Sequence, residues 1–504
     1  MTQTNKSRFV IVYHRQPYEE VLENGRIVYK ENKSPNGIVP ALKGFFGTAE
    51  DAVWVAWKLA SAKGNANFER KVHIKDSYGE YDVVRLPLTA DQVKGFYHVT
   101  SKEALWPILH SFPGMFNYGP VDWDNFREVN RLFAEAACAE AADDALIWVH
   151  DYNLWLVPHY VRQLKPNARI AFFHHTPFPS ADVFNVLPWR EEILQSLLDC
   201  DIVGFHIPRY AENFASVACS VMGASRAEVR DVEGPFSPTG AALSEPSVTT
   251  ALRHNGRTIG IDAWPIGANP RVIDAFLQSA QSVQRVADIR EEVGDRRLIM
   301  SVGRVDYVKG TKEMLESFDR LLARRPELRE KVKMFCVCVA PAEGMSAYRA
   351  AQREVERLAG AINGKYGNLR WTPIMLSTRG VPFEELVCYY RAADVCMVTP
   401  LRDGLNLVAK EFIGAQDGDP GVLMLSEFAG AAVELPEALL VNPYSERMMD
   451  ATLDQALDMG GPERTQRMNA MQERVRRWDV DHWASHVRER FAAIDAPEDA
   501  RSAA

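Results

Sequence analysis

Cysteine is scarce in this chain of 504 residues: seven thiols, Cys138, Cys200, Cys219, Cys336, Cys338, Cys388 and Cys396, odd in number and never spaced as CxxC. Such spacing argues against a disulfide framework and a thiolate zinc site, and suits a reducing cytoplasmic compartment. Positive charge is also short. With 58 Lys and Arg against 67 Asp and Glu the formal net charge is −9, so no global field draws nucleic acid or an anionic membrane, and any bound phosphate must be held locally. No apolar run reaches membrane-spanning length, and the polar stretch Met1–Arg8 with the short run Phe9–Tyr13 is not read as a signal core. GxxxxGK[ST], GxSxG and a glycosidase-like carboxylate pair are missing too. The spacings of His150, Asp151, His159, His174 and His175 match neither HExxH nor a 2-His-1-carboxylate set, so no metal ligand is assigned. Asp479-Val480-Asp481-His482 mimics a phosphatase DxDx but lacks the preceding apolar strand, and no fused phosphatase is expected.

What is present is an alternation of short β-rich runs with longer segments of helical periodicity, the pattern of parallel sheets with crossover helices. Strands are predicted near Phe9–His14, Val53–Trp57, Val83–Pro87, Ala145–His150, Arg169–His174 and Asp201–His206. A second series follows at Leu298–Gly303, Lys333–Val339, Val395–Thr399, Val422–Ser426 and Leu439–Asn442. Between them, Val229–Gly256 is rich in turn residues and reads as a surface loop, and strand-like Thr258–Ile266 leads to a boundary near Gly267. The expectation is an α/β protein of two Rossmann-like, doubly wound domains, 1–266 and 267–478. A C-terminal helix, 479–494, would pack back on the first domain, with a frayed tail over 495–504. The carboxyl ends of two such sheets would share a cleft.

Residues that could carry chemistry sit after those strand ends. Arg402-Asp403-Gly404-Leu405-Asn406-Leu407-Val408-Ala409-Lys410-Glu411 combines a turn, a helix start and two carboxylates. Two readings stand: a structural strand–loop–helix corner, or a cradle in which Asp403 takes sugar hydroxyls and the free N–H groups of the helix take phosphate oxygens. Arg304 and Lys309, in Ser301–Gly310, add a planar and a point positive charge that could converge on a diphosphate, or form a solvated basic loop. His150 and Asp151, then His174 and His175, end two first-half strands; core histidines or sugar contacts both fit. Arg15 ends the first strand, and Ser34-Pro35-Asn36-Gly37 follows a charged linker.

Taken together, VGRVDYVKG, WVHDYNL, FFHHTPFP, LWPILH, INGKYGNLRWTP and TPLRDGLNLVAKEF resemble the trehalose-6-phosphate synthase family of retaining glycosyltransferases, from about Phe9 to Phe491. The resemblance implies a GT-B arrangement, a sugar-nucleotide donor in the cleft, a phosphorylated acceptor, and neither cofactor nor metal. Position by position it implies that Arg304 and Lys309 hold the donor diphosphate. Leu407, Val408, Ala409, Lys410 and Glu411 would bind phosphate through backbone and ribose through the carboxylate. Asp403 and His175 match groups on the transferred glucose, and Asp151 an acid at the donor–acceptor junction. Gly37 matches one glycine of a Gly-Gly pair covering the donor, with Asn36 replacing the other. Arg15, Tyr97, Trp106 and Trp57 match acceptor-side positions.

Departures from the pattern redirect the acceptor. Ala340-Pro341-Ala342-Glu343-Gly344-Met345-Ser346-Ala347-Tyr348 lacks the Arg that holds the phosphate of glucose 6-phosphate, and Val381 replaces a phenylalanine lying on the donor base. The run VIVYHRQPYEE…NGRIVYKENKSPNGIVPALK is more similar to the branch that uses ADP-glucose and sn-glycerol 3-phosphate in compatible-solute synthesis under osmotic stress. The alternatives are transfer from UDP- or ADP-glucose to glucose 6-phosphate, and a non-catalytic sugar-phosphate-binding regulator. The product's phosphate would need a separate phosphatase. The acceptor phosphate is expected near Arg15, with a lysine from Lys30–Lys33 as a second cation; oligomeric state is left open.

Overall fold

A computed structural model describes residues 6–31, 36–46, 52–60, 68–340 and 346–495. Ser34, Pro35, the stretch Pro341–Met345 and the tail after Asp495 lie outside them.

Two sheets organise the chain. The first has ten strands in the order Ser225–Asp231, Ser247–His254, Arg257–Ala263, Ile202–Phe205, Arg169–His174, Ala141–His150, Ser7–Val12, Ala52–Leu59, Gly79–Leu88 and Lys71–Asp76. Seven of them, from Arg257–Ala263 to Gly79–Leu88, run parallel. The second has six parallel strands in the order Ile374–Ser377, Val332–Val339, Arg297–Arg304, Val395–Val398, Val422–Ser426 and Leu439–Val441. Central strands such as Ile202–Phe205 and Val395–Val398 are buried at every residue, because helices cover both faces and only apolar side chains fit there. Among the described residues no helix is long and apolar enough to cross a membrane.

In both sheets the earliest strand lies inside, with the next strands of that sheet, three in the first and two in the second, on one side and the later ones on the other. The order reverses between Ser7–Val12 and Ala141–His150, and again between Arg297–Arg304 and Val395–Val398. At such reversals the connections leave in opposite directions and open a crevice at the carboxyl ends. The first crevice is edged by Tyr13-His14-Arg15 and Asp151, the second by Arg304-Val305-Asp306 and Thr399.

Two sequence readings need correcting. Val229–Gly256 is not simply a loop: Ser225–Asp231 and Ser247–His254 pair antiparallel and extend the first sheet. The first of these is mostly exposed, so it carries no apolar pattern to read. The charged linker after Arg15 contains a hairpin, Glu19–Glu23 with Arg26–Lys30, where Lys30 ion-pairs with Glu23. Both its strands are largely exposed.

The helix Val480–Asp495 buries Trp483 completely, with ring centroids 5.7 Å from Phe45, 5.9 Å from Phe173 and 6.0 Å from Trp148. His486 Nε2 lies 3.0 Å from Asp262 and its ring stacks 4.0 Å from Trp264. The returning chain passes so close to Gly267 that a Cβ there would sit 2.0 Å from the Asp479 carbonyl carbon. A Trp483→Ala protein is therefore expected to lose about 3–5 kcal/mol of stability, the usual cost of emptying a buried indole site. Denaturant unfolding followed in the first domain checks this.

Candidate active site

Asp403 leaves the strand Val395–Val398 through a turn whose backbone is tied on three sides. Its N–H donates to the Phe428 carbonyl (3.1 Å), and its carbonyl accepts from Gly430 N–H (3.2 Å) and the Tyr210 hydroxyl (2.9 Å). Tyr210 belongs to the first domain's helix Pro208–Met222, so Asp403 is fixed from across the cleft. Lys309 Nζ approaches Asp403 Oδ2 at 2.7 Å and Asn406 Nδ2 donates to the same oxygen at 2.9 Å. Burial raises the Asp403 pKa, but the Lys309 charge and these hydrogen bonds outweigh it and hold the carboxyl below its ordinary value. The pairing of Lys309 with Asp403, 94 residues apart, was not visible in sequence.

Asn406 caps the helix Leu407–Ala415, its Oδ1 accepting from Ala409 N–H at 3.3 Å. Its φ of 84° is rare for a residue with a side chain. The cap occupies the Ala409 N–H, leaving Leu407 and Val408 to offer the helix's foremost donors. Lys410 turns away from the cleft: its buried Nζ reaches Glu434 Oε2 (2.8 Å) and the Ile266 carbonyl (3.0 Å), pinning the domain junction.

Glu411 is buried beneath this helix start, with Tyr390 donating to Oε2 at 3.3 Å and Asn36 hydrogen-bonded to the carboxyl. Asn36 Oδ1 also accepts from Asn269 N–H at 2.9 Å, so this residue ties the two domains. Gly37, with φ 117°, starts the short helix Ile38–Lys43; its backbone angle rather than crowding requires glycine. Burial pushes the Glu411 pKa up to about 7. The folded protein thus keeps a proton that the unfolded chain releases between about pH 4.5 and 7, and stability falls across that window. Glu411→Gln is expected to be more stable than the parent above pH 7, by on the order of 3 kcal/mol, with no difference near pH 4.5. Unfolding curves taken from pH 4.5 to 8 check the sign.

From the first domain, Asp151 enters with φ 70° and ψ 161°, a strained pair that the surroundings must impose. Its Oδ1 lies 3.3 Å from His175 N and 3.4 Å from Thr176 Oγ1. Burial raises its pKa to about 6, partly opposed by the Tyr152 N–H and the Lys102 charge. His175 is buried and its pKa falls well below the ordinary value through burial and neighbouring histidines, so it is neutral. Its Nε2 lies 3.2 Å from His150 Nδ1, and His150 and His174 are both buried. The His175 carbonyl meets the second domain at Gly404, where a Cβ would lie 2.5 Å from that oxygen.

Arg304 ends its strand exposed and, among the described residues, without a hydrogen bond or ion pair. Arg15 is exposed just beyond the first strand, with Tyr13, Tyr97 and Tyr152 near enough to act on its charge. Trp106 is buried; Trp57 is half-buried, its carbonyl accepting from Gln16 Nε2 at 3.1 Å beside Arg15. Val381 is half-buried against the second domain's core. Lys102, which the sequence reading passed over, sits among Arg15, Asp151, Arg304 and Asp306. Among the described residues no group of His, Cys, Asp and Glu could hold a metal ion.

A cleft between two doubly wound domains, with cations, a helix start and buried carboxylates converging on it, is the layout of a GT-B glycosyltransferase. The profile of glycosyltransferase family 20 matches residues 7–493. The chain belongs to that family, the trehalose-6-phosphate synthase family, and is a glycosyltransferase. It is 56% identical to the glucosylglycerol-phosphate synthase of Synechocystis sp., covering 97% of this chain and 98% of the relative. Identity to the glucosylglycerol-phosphate synthase of Picosynechococcus sp. is 54%, covering 96% of each. Among solved structures, a UDP-forming α,α-trehalose-phosphate synthase from Burkholderia vietnamiensis superposes with a TM-score of 0.85 at 30% identity, covering 98% of both chains.

Proposed function

We propose that this glycosyltransferase moves glucose from ADP-glucose to sn-glycerol 3-phosphate with retained anomeric configuration, giving glucosylglycerol phosphate and ADP. The observation that carries the reading is the meeting of Arg304, the Lys309–Asp403 pair and the Leu407 helix start at one sheet's reversal, opposite Arg15, Asp151 and His175 at the other. The names of the relatives at 56% and 54% identity support the glycerol phosphate acceptor.

In this mechanism the diphosphate lies against Arg304, Lys309 and the Leu407 and Val408 N–H groups, which stabilise negative charge as ADP leaves. Glu411 holds the ribose, and Asp403 with neutral His175 holds glucose hydroxyls. A diphosphate drawing on Lys309 loosens its bond to Asp403 and frees that carboxylate for sugar. The acceptor hydroxyl attacks from the face that ADP vacates and passes its proton to the departing phosphate, with Asp151 at the junction. Closure excludes water that would hydrolyse the donor. The reading invokes no metal or further cofactor, places the reaction in the cytoplasm as compatible-solute synthesis under osmotic stress, and leaves dephosphorylation to a separate phosphatase.

Incubating the protein with ADP- or UDP-glucose and with glycerol 3-phosphate or glucose 6-phosphate, then weighing the products, tests this. The expected kcat/KM is highest for ADP-glucose with glycerol 3-phosphate. A preference for glucose 6-phosphate would overturn the acceptor assignment.

A further inference from the structure

Of the two lysines expected to supply a second cation, Lys30 pairs with Glu23 and Lys33 lies outside the described residues, and a third lysine stands near Arg15. Lys102 lies on Lys94–Leu105, a helical segment bonded i→i+5. That winding stacks residues five apart, whereas an α-helix would set Tyr97 and Lys102 about 140° apart around its axis. Trp106 follows at the start of an α-helix, Trp106–Leu109, and the three side chains meet. The Lys102 ammonium lies 3.9 Å from the Trp106 ring centroid, 5.6 Å from Tyr97 and 5.8 Å from Tyr152.

Lys102 is only 8% exposed, and among the described residues its ammonium has no hydrogen bond and no ion pair. Ring faces attract a cation but accept none of its three N–H bonds in the way an oxygen does. A largely buried lysine whose ammonium has no protein acceptor is costly, and such groups cluster at functional sites. Burial and the charges of Arg304 and Arg15 lower its pKa to about 7, with Asp306 and Asp151 opposing. From the second domain Tyr348 brings a buried hydroxyl without a partner, close enough to Tyr97, Arg304 and Asp306 for their charges to act on it.

We infer that Lys102, with Arg15, anchors the phosphate monoester of the acceptor, the anion supplying the oxygens that the folded chain withholds from the ammonium. The inference rests on the proposed phosphorylated acceptor and names a residue for it. A phosphate facing Lys102, Arg15 and Arg304 returns the lysine to its charged form, so acceptor affinity weakens as pH rises above 7. Asp151, Asp306, His14, His110 and the Tyr97 and Tyr152 rings are the other groups near the ammonium, and burial holds both histidines below their ordinary pKa, so neither titrates above pH 7.

The test compares wild type with K102M and K102R, measuring KM for glycerol 3-phosphate at saturating ADP-glucose from pH 7 to 9, and KM for ADP-glucose separately. Losing one hydrogen-bonded charge is expected to raise the acceptor KM about 10- to 100-fold. The ADP-glucose KM should stay within about twofold and K102R should recover part of the loss, because a guanidinium still binds phosphate. K102M should also flatten the rise of acceptor KM with pH. An unchanged acceptor KM, or equal rises for donor and acceptor, overturns the assignment. If K102M does not fold, inhibition by inorganic phosphate, weaker for K102R than for wild type, decides instead; equal inhibition overturns the assignment. Wild type turning over glucose 6-phosphate and not glycerol 3-phosphate would sink the functional reading alone, and K102M assayed on that acceptor would still decide the lysine.

Discussion

Arg304→Ala is expected to fold like the parent and to lose about 10²–10³-fold in kcat, the usual effect of removing one preorganised donor from a developing negative charge. Arg304 is exposed and makes no hydrogen bond or ion pair among the described residues, so its removal should cost little stability, within about 0.5 kcal/mol. Lys309→Ala should behave differently. It leaves half-buried Asp403 with Asn406 as its remaining side-chain donor, and both turnover and stability should fall. Stopped assays beside thermal unfolding of both proteins separate the two effects. Turnover of Arg304→Ala within threefold of the parent would remove the electrostatic core of the mechanism.

Gly404→Ala should be nearly as damaging with far less chemistry removed. An added Cβ would lie 2.5 Å from the His175 carbonyl oxygen and 3.2 Å from the Thr176 backbone, neither of which can swing aside like a side chain. The domains must then part by a fraction of an ångström at the place where Asp403 and His175 face one substrate. Misplacement on the scale of 1 Å costs about 10²-fold in rate, so kcat/KM should fall by that order for both substrates. Each domain keeps its own core, and unfolding should move little. A crystal structure of the variant with ADP bound should show the backbone at residue 404 displaced from His175; an unchanged separation with full activity would show that this contact does not set closure.

How far the sequence carried depended on burial. Arg169–His174 and Val422–Ser426 were read with the ends that the structure has, because strands covered on both faces spell continuous apolar runs. Ser225–Asp231 and the hairpin from Glu19 to Lys30 escaped, since edge strands and exposed ribbons satisfy their backbone without an apolar stripe. The candidate site divided in the same way. Strand-end residues such as Arg304 and Asp403 stood out through their turns, but the ion pair between Lys309 and Asp403 depends on tertiary approach across 94 residues. Lys102 looked like any helix lysine. Only the i→i+5 winding puts it on the Tyr97 face and buries it, and no periodicity in the sequence announced that winding. Asn36 was read as a substituted glycine, whereas its amide joins Glu411 to Asn269 across the domains.

The most direct measurement is a crystal structure with ADP and glycerol 3-phosphate bound together. The account predicts the diphosphate against Arg304, Lys309 and the Leu407 helix start, the ribose on Glu411, and the acceptor phosphate between Arg15 and Lys102. Diphosphate density away from Arg304 and Lys309, or an acceptor phosphate held without Arg15 or Lys102, would contradict it.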